Sequence, residues 1–198
     1  MKLSKKSAAL AVGLAALIAL TGCAQDKLAE QYREGSGKNY IAGDGSITEV
    51  ALANRGEAIS FTATDLDGNT VSSKDFAGKV VVVNFWYAGC APCRAEAKDL
   101  EKVYQHFAGK NVVFLGVNVR DGADTARTFN STFGVTYPSV TDLDGKVQLA
   151  FSSSVPPNAV PTTLVLDTKG RVAARVLGRL ASDSILITLV GDQLKAAS

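Results

Sequence analysis

A chain of 198 residues that is 46% hydrophobic and 20% charged has the material for one ordinary globular domain plus appendages, and this is not the composition of a disordered protein. The formal charge of +2 falls to −1 once Lys2, Lys5 and Lys6 are removed with the leader described next. Charge therefore makes no case for nucleic-acid binding.

Residues 1–22 follow a targeting plan, with lysines first, an apolar stretch from Ala8 to Leu20, and the small residues Thr21 and Gly22 before Cys23. The stretch is short for a membrane span. Leu20-Thr21-Gly22-Cys23 resembles the bacterial lipoprotein box, which implies a signal peptide over 1–22 and a lipidated Cys23 that anchors the mature chain outside the cytoplasm. An ordinary cleaved signal with a coincidental cysteine is the alternative. From Ala24 to about Glu57 the chain is polar and carries Gly35, Gly37, Gly43, Gly45 and Gly56, so residues 23–57 read as a flexible tether of roughly 30 Å r.m.s. span. Its alternative is that Tyr40-Ile41 and Ile47 to Leu52 lie on the domain or add an edge strand. The domain itself is expected over 58–198.

Two short alternating runs, Ile59 to Thr64 and Thr70 to Ser72, flank Asp65-Leu66-Asp67-Gly68-Asn69 and predict a β-hairpin. Val80 to Trp86 is a continuous apolar run suited to a strand buried on both faces. It leads through Tyr87-Ala88-Gly89 into Cys90-Ala91-Pro92-Cys93, where Pro92 fits only a first helical turn and good helix formers start at Arg94. Cys90 thus sits where unpaired helix N–H groups favour a thiolate.

The following helix carries Cys93, Ala97, Leu100, Val103, Tyr104 and Phe107 on its core face. Glu96 shares that face, so its ionisation is disfavoured by apolar neighbours. The alternative is a boundary glutamate whose carboxylate reaches water from the first turn. Val112 to Val119 predicts a second apolar strand, and Ala126, Phe129 and Phe133 repeat at helical steps. A short strand near Tyr137 to Val140 and a short helix over Val147 to Phe151 come next. After the proline-rich 156–161 loop, Thr162 to Asp167 and Arg171 to Leu177 predict two strands. The second of these alternates Arg171 and Arg175 with Val172 and Val176, as on a strand with one wet face. Ser182 or Asp183 can cap a last helix bearing Leu186, Leu189 and Val190.

A Cys-x-x-Cys pair has several uses. Structural zinc wants four ligands, and the sole histidine, His106, lies about four turns along the same helix. Covalent haem attachment needs histidine where Arg94 stands. A static structural disulfide explains the cysteines without explaining their place at a strand-to-helix junction.

Phe85-Trp86, Cys90-Ala91-Pro92-Cys93 and Val160-Pro161-Thr162-Thr163 resemble the thioredoxin fold. Arg94, Glu96, the hairpin ahead of the fold and the long segment 120–160 inside it resemble, more narrowly, the TlpA/ResA/DsbE-like membrane-anchored thiol–disulfide oxidoreductases. The resemblance covers about residues 58–195. It implies an α/β fold with a central mixed sheet flanked by helices, an N-terminal hairpin and a central insertion. It also implies that Cys90 is the exposed attacking thiol, Cys93 the buried resolving thiol that pairs with it, Glu96 the acid near the pair, and Pro161 a cis-proline facing the disulfide. Asn84 stands where thioredoxin has a buried aspartate, and an amide cannot exchange a proton as that acid does.

The activity implied is exchange with thiols and disulfides of exported proteins or apocytochrome c, with reduction favoured over oxidation and a membrane redox protein as donor or acceptor. No cofactor, metal or nucleic acid is called for. A thiol peroxidase, a copper-delivery module and a purely structural anchored domain are the readings from other classes. The peroxidase lacks a Thr-x-x-Cys context, and the copper module lacks a histidine after residue 106.

Overall fold

The computed structural model describes residues 46–156 and 158–197. The signal peptide over 1–22, the lipidated Cys23 and the tether as far as residue 45 lie outside the described residues.

The described elements run β1 (Ser46–Glu49), β2 (Thr62–Asp65), β3 (Thr70–Ser72), β4 (Val80–Trp86), α1 (Ala91–His106), β5 (Val112–Asn118), α2 (Ala123–Phe133), β6 (Ser139–Thr141), α3 (Lys146–Ala150), β7 (Thr162–Leu166), β8 (Val172–Leu177) and α4 (Asp183–Ala197). The strands form one mixed sheet in the order β1-β8-β7-β4-β5-β6-β2-β3. Strand β4 is parallel to β5, and β5 to β6, while β7 runs antiparallel to β4 and β8 antiparallel to β7. This is the thioredoxin-like architecture, with the expected hairpin as β2–β3 and the central insertion contributing α2, β6 and α3.

The valine run is central because it has partners on both edges and cover on both faces, and all seven residues of β4 are buried. Alternate side chains serve opposite layers. Asn84 reaches Glu96 on α1, whereas Phe85 packs edge-on against Phe151 at 5.3 Å, which in turn meets Phe61 at 5.7 Å. Trp86 stacks on Phe129 of α2 at 4.3 Å. Gly116 makes room for this ring, since a Cβ there would fall 2.9 Å from Trp86 Nε1 and 2.6 Å from Ser139 Oγ.

Two expectations need correction. The sheet takes in part of the stretch assigned to the tether, in line with the alternative that Ile47 to Leu52 adds an edge strand: Ser46 pairs with Leu177 and Glu49 with Ala174, and Arg55 is tied to Asp167 at 2.9 Å. The side chains of β1 are all exposed, so backbone hydrogen bonds hold it without burial, and an apolar alternation had no reason to develop. Likewise β8 lacks the wet face expected of it, since all its residues are buried except the half-buried Arg175, and the two arginines are bonded down. Arg175 Nη1 donates to the Ser154 carbonyl at 2.9 Å, and Arg171, just ahead of the strand, folds onto Asp167.

Candidate active site

The antiparallel turns of the sheet bring four chain segments to one edge. Phe85 lies opposite Thr162, Thr162 opposite Leu177, and Trp86 opposite Asn118. The ends of β4, β5 and β8 and the start of β7 therefore share that edge, and α1 begins there.

Cys90 caps α1, with Pro92 in its first turn. Cys90 and Cys93 are joined in a disulfide, their Cα atoms 5.3 Å apart. The Cys93 N–H donates to Cys90 Sγ at 3.2 Å, a donor that would equally favour a thiolate at Cys90 once the bond opens. The expected exposure of Cys90 is not found in this disulfide form, where Cys90 is 0% and Cys93 3% exposed. The Cys90 sulfur is turned back over the first helical turn, and both cysteines belong to the apolar cluster with Trp86 and Tyr87.

The turn ahead of Cys90 is gripped by the loop after β5. Asp121 Oδ2 accepts the Ala88 N–H at 2.6 Å and Asn118 Nδ2 at 3.0 Å. Asn118 Oδ1 in turn accepts the N–H groups of Arg120 and Asp121 at 3.0 and 2.7 Å. The Arg120 guanidinium lies 4.6 Å from the centroid of the Tyr87 ring. Asn118, Arg120 and Asp121 were missed in the sequence because they read as an ordinary strand end and turn; nothing local in Asn-x-x-Asp shows that its amide and carboxylate hold a loop some thirty residues away.

Glu96 is fully buried, 0% exposed, on the core face of α1. Its Oε1 accepts Asn84 Nδ2 at 3.0 Å and its Oε2 accepts the Leu180 N–H at 2.8 Å. The Asn84 amide also donates to Thr163 Oγ1 at 3.0 Å, which links β4, α1 and β7. Burial dominates and pushes the Glu96 carboxyl up to about 7, against the two neutral hydrogen bonds and the more distant Arg179, which favour its ionised form. The boundary alternative, a carboxylate reaching water, is not what the fold builds.

The Val160–Pro161 peptide is cis. The Pro161 carbonyl accepts the Gly178 N–H at 2.9 Å, and Gly178 has φ +94°, a conformation that suits glycine. Two residues later Leu180 reaches Glu96, so the short segment 178–180 ties the proline loop to the buried acid. All four expected site residues, Cys90, Cys93, Glu96 and Pro161, thus come together at this edge. His106 lies in the last turn of α1 against Phe107, and among the described residues no group of three or more His, Cys, Asp or Glu side chains is placed to hold a metal ion.

Comparison with known proteins agrees with this geometry. The model of the AhpC/TSA family matches residues 55–175. The thiol–disulfide oxidoreductase ResA of Bacillus subtilis (strain 168) is 31% identical over 145 residues, covering 73% of this chain and 76% of its own. The chain belongs to the AhpC/TSA family, in its TlpA/ResA/DsbE-like branch of thiol–disulfide oxidoreductases. Among solved members of the fold, a DsbF homologue from Corynebacterium diphtheriae matches at 33% identity and TM-score 0.65, over 76% of this chain and 94% of its own. A secreted thiol–disulfide isomerase from Corynebacterium glutamicum matches at 29% identity and TM-score 0.67, over 79% and 96%. The Cys90–Cys93 disulfide at the start of α1 fits a thiol–disulfide oxidoreductase of this branch.

Proposed function

We propose that this oxidoreductase works outside the cytoplasm, held at the membrane by lipidated Cys23, and reduces disulfides of exported proteins, apocytochrome c among them. In the reduced protein the Cys90 thiolate attacks one sulfur of a partner disulfide, forming a mixed disulfide and releasing the partner's other sulfur as a thiolate. Cys93 loses its proton and displaces the partner from Cys90, which leaves the partner as a dithiol and this chain as the Cys90–Cys93 disulfide. A membrane redox protein then restores the two thiols.

The observation that carries the reading is Glu96. A carboxyl buried among neutral donors, three residues along the same helix from Cys93 and with its proton affinity near neutrality, is suited to take the Cys93 proton and give it back in each cycle. Backbone next to Pro161 is where the partner segment would lie as an added strand.

Cys93→Ser is expected to accumulate mixed disulfides through Cys90, and Cys90→Ser to form none. Equal trapping by both variants, resolved on non-reducing gels, would reverse or remove the assigned roles. Direction is tested by the potential of the Cys90–Cys93 couple. A reductase is expected near the thioredoxin value of about −270 mV, and a value near the −120 mV of a strong oxidant would make this a disulfide-forming enzyme instead. For the anchor, Cys23→Ser should leave the membrane fraction.

A further inference from the structure

The arginines of the described residues divide into two sets. Arg55 and Arg171 pair with Asp167, Arg127 with Asp67 and Asp124, and Arg175 donates to Ser154 and Thr48. Arg94, Arg120 and Arg179 are exposed and have no carboxylate oxygen within 4 Å among the described residues. These three do not lie scattered over the surface. Arg94 directly follows Cys93 in the first turns of α1. Arg120 lies over the Tyr87 ring, three residues before Cys90. Arg179 sits between Gly178, which holds the Pro161 carbonyl, and Leu180, which holds Glu96.

The sheet register puts the ends of β5 and β8, just ahead of Arg120 and Arg179, on the edge that bears the disulfide, and α1 starts there with Arg94 in its first turns. The acids on the same edge keep their charge but, among the described residues, make no ion pair with these three arginines. Asp121 is taken up by Ala88 and Asn118, Asp183 Oδ1 accepts the Ser184 N–H at 2.8 Å, and Glu96 is buried.

We infer that Arg94, Arg120 and Arg179 form a cationic rim around the Cys90–Cys93 disulfide that selects protein partners whose reacting cysteine is flanked by Asp or Glu side chains. This rests on the exchange reaction proposed above. Three exposed guanidiniums on the segments that border the disulfide would attract a carboxylate-bearing segment at a distance, raise its encounter rate and disfavour a basic one, while the bond exchange itself is unchanged. Solvent-exposed charges act this way only while salt leaves them unscreened. The loops on this edge are held by Asp121, Asn118 and backbone bonds, and of the three guanidiniums Arg120 rests on the Tyr87 ring.

The test uses the reduced full chain and disulfide-linked peptides identical except for Asp/Glu, Ser or Lys/Arg beside the cysteine. Bis(2-hydroxyethyl) disulfide serves as an uncharged reference for exchange. At low salt the acidic peptide is expected to react at least about tenfold faster than the basic one, and the ratio should shrink towards one at about 0.5 M salt. Combining Arg94→Gln, Arg120→Gln and Arg179→Gln should bring the low-salt ratio near one, with each single change giving part of the loss. If the reference disulfide is reduced but the wild type does not distinguish acidic from basic peptides, the rim is overturned while exchange stands. A ratio that survives in the triple variant also overturns it. Failure to reduce even the reference disulfide would remove the exchange reading, and the rim with it.

Discussion

The same sheet holds a buried carboxylate at each end, and the two are managed in opposite ways. At the redox edge Glu96 is 0% exposed and meets only neutral donors, the Asn84 amide and the Leu180 N–H. At the far end of β7, Asp167 is 6% exposed and receives two guanidiniums. Arg55 Nη1 lies at 2.9 Å and Arg171 at 2.8 and 2.9 Å, with the Lys169 and Arg171 N–H groups on the other oxygen. Burial opposes ionisation in both. For Asp167 the backbone N–H of Arg171 and the two guanidiniums more than offset it and hold the carboxyl below its usual range. For Glu96 nothing does, and it rises to about 7. The cations make Asp167 a fastener, whereas burial with only neutral donors leaves Glu96 with a proton affinity near neutrality, as the proposed proton transfer needs.

The first way to break the contrast is to remove the fastener. Asp167→Ala leaves Arg55 and Arg171 facing a hole, and truncating one member of a buried ion pair costs about 3–5 kcal/mol. Urea unfolding should show that loss, together with release of the 46–57 segment to proteolysis, while the pH dependence of thiol exchange in the folded protein keeps its form.

The next concerns Glu96. Between the ordinary carboxyl range and about 7 the folded protein holds a proton on Glu96 that the unfolded chain has released. Stability from this group is therefore present at acid pH and lost as pH rises through that window. In Glu96→Gln the window is absent. Relative to wild type, the variant should gain about 2–3 kcal/mol on going from pH 4.5 to pH 8, superimposed on a constant loss because a single amide oxygen cannot serve both Asn84 and Leu180. Its exchange rate should also lose an inflection near pH 7. A wild-type inflection retained in Glu96→Gln would place the proton carrier elsewhere. Asp167 has the opposite slope, with stability present at neutral pH and lost as pH falls below the ordinary aspartate range.

The smallest effect sharpens the comparison. Asn84→Ala removes one of the two neutral bonds to the ionised form of Glu96, so the inflection should move upward by about one pH unit. A downward move would mean that water entering the gap solvates the carboxylate better than the amide does.

Much of this was legible in the chain. The run Val80 to Trp86 suited a strand buried on both faces, the placement of Pro92 marked a helix start, and the spacing from Cys93 to Leu100 put Glu96 on the core face. What was missed has a common cause. Ser46–Glu49 is held by backbone bonds with its side chains in solvent, so no periodicity marks it. Asp121, Leu180 and Arg55 act on residues far along the chain, and no short window contains both partners. The exposure of Cys90 was misjudged because a family pattern says which atom reacts and does not say how the oxidised sulfur packs.

The Cys-x-x-Cys pair, its place at a helix start, the succession of elements from β2 to α4 and the location of an acid on the inner face were legible in the sequence alone, because side-chain chemistry and hydrophobic period are local properties. Only the tertiary structure decided that this acid has amides for company while Asp167 has guanidiniums, and that Arg94, Arg120 and Arg179 share one edge. Proton affinity and the field at a surface depend on which distant segments the fold brings within a few ångströms, and that is a property of the assembled sheet.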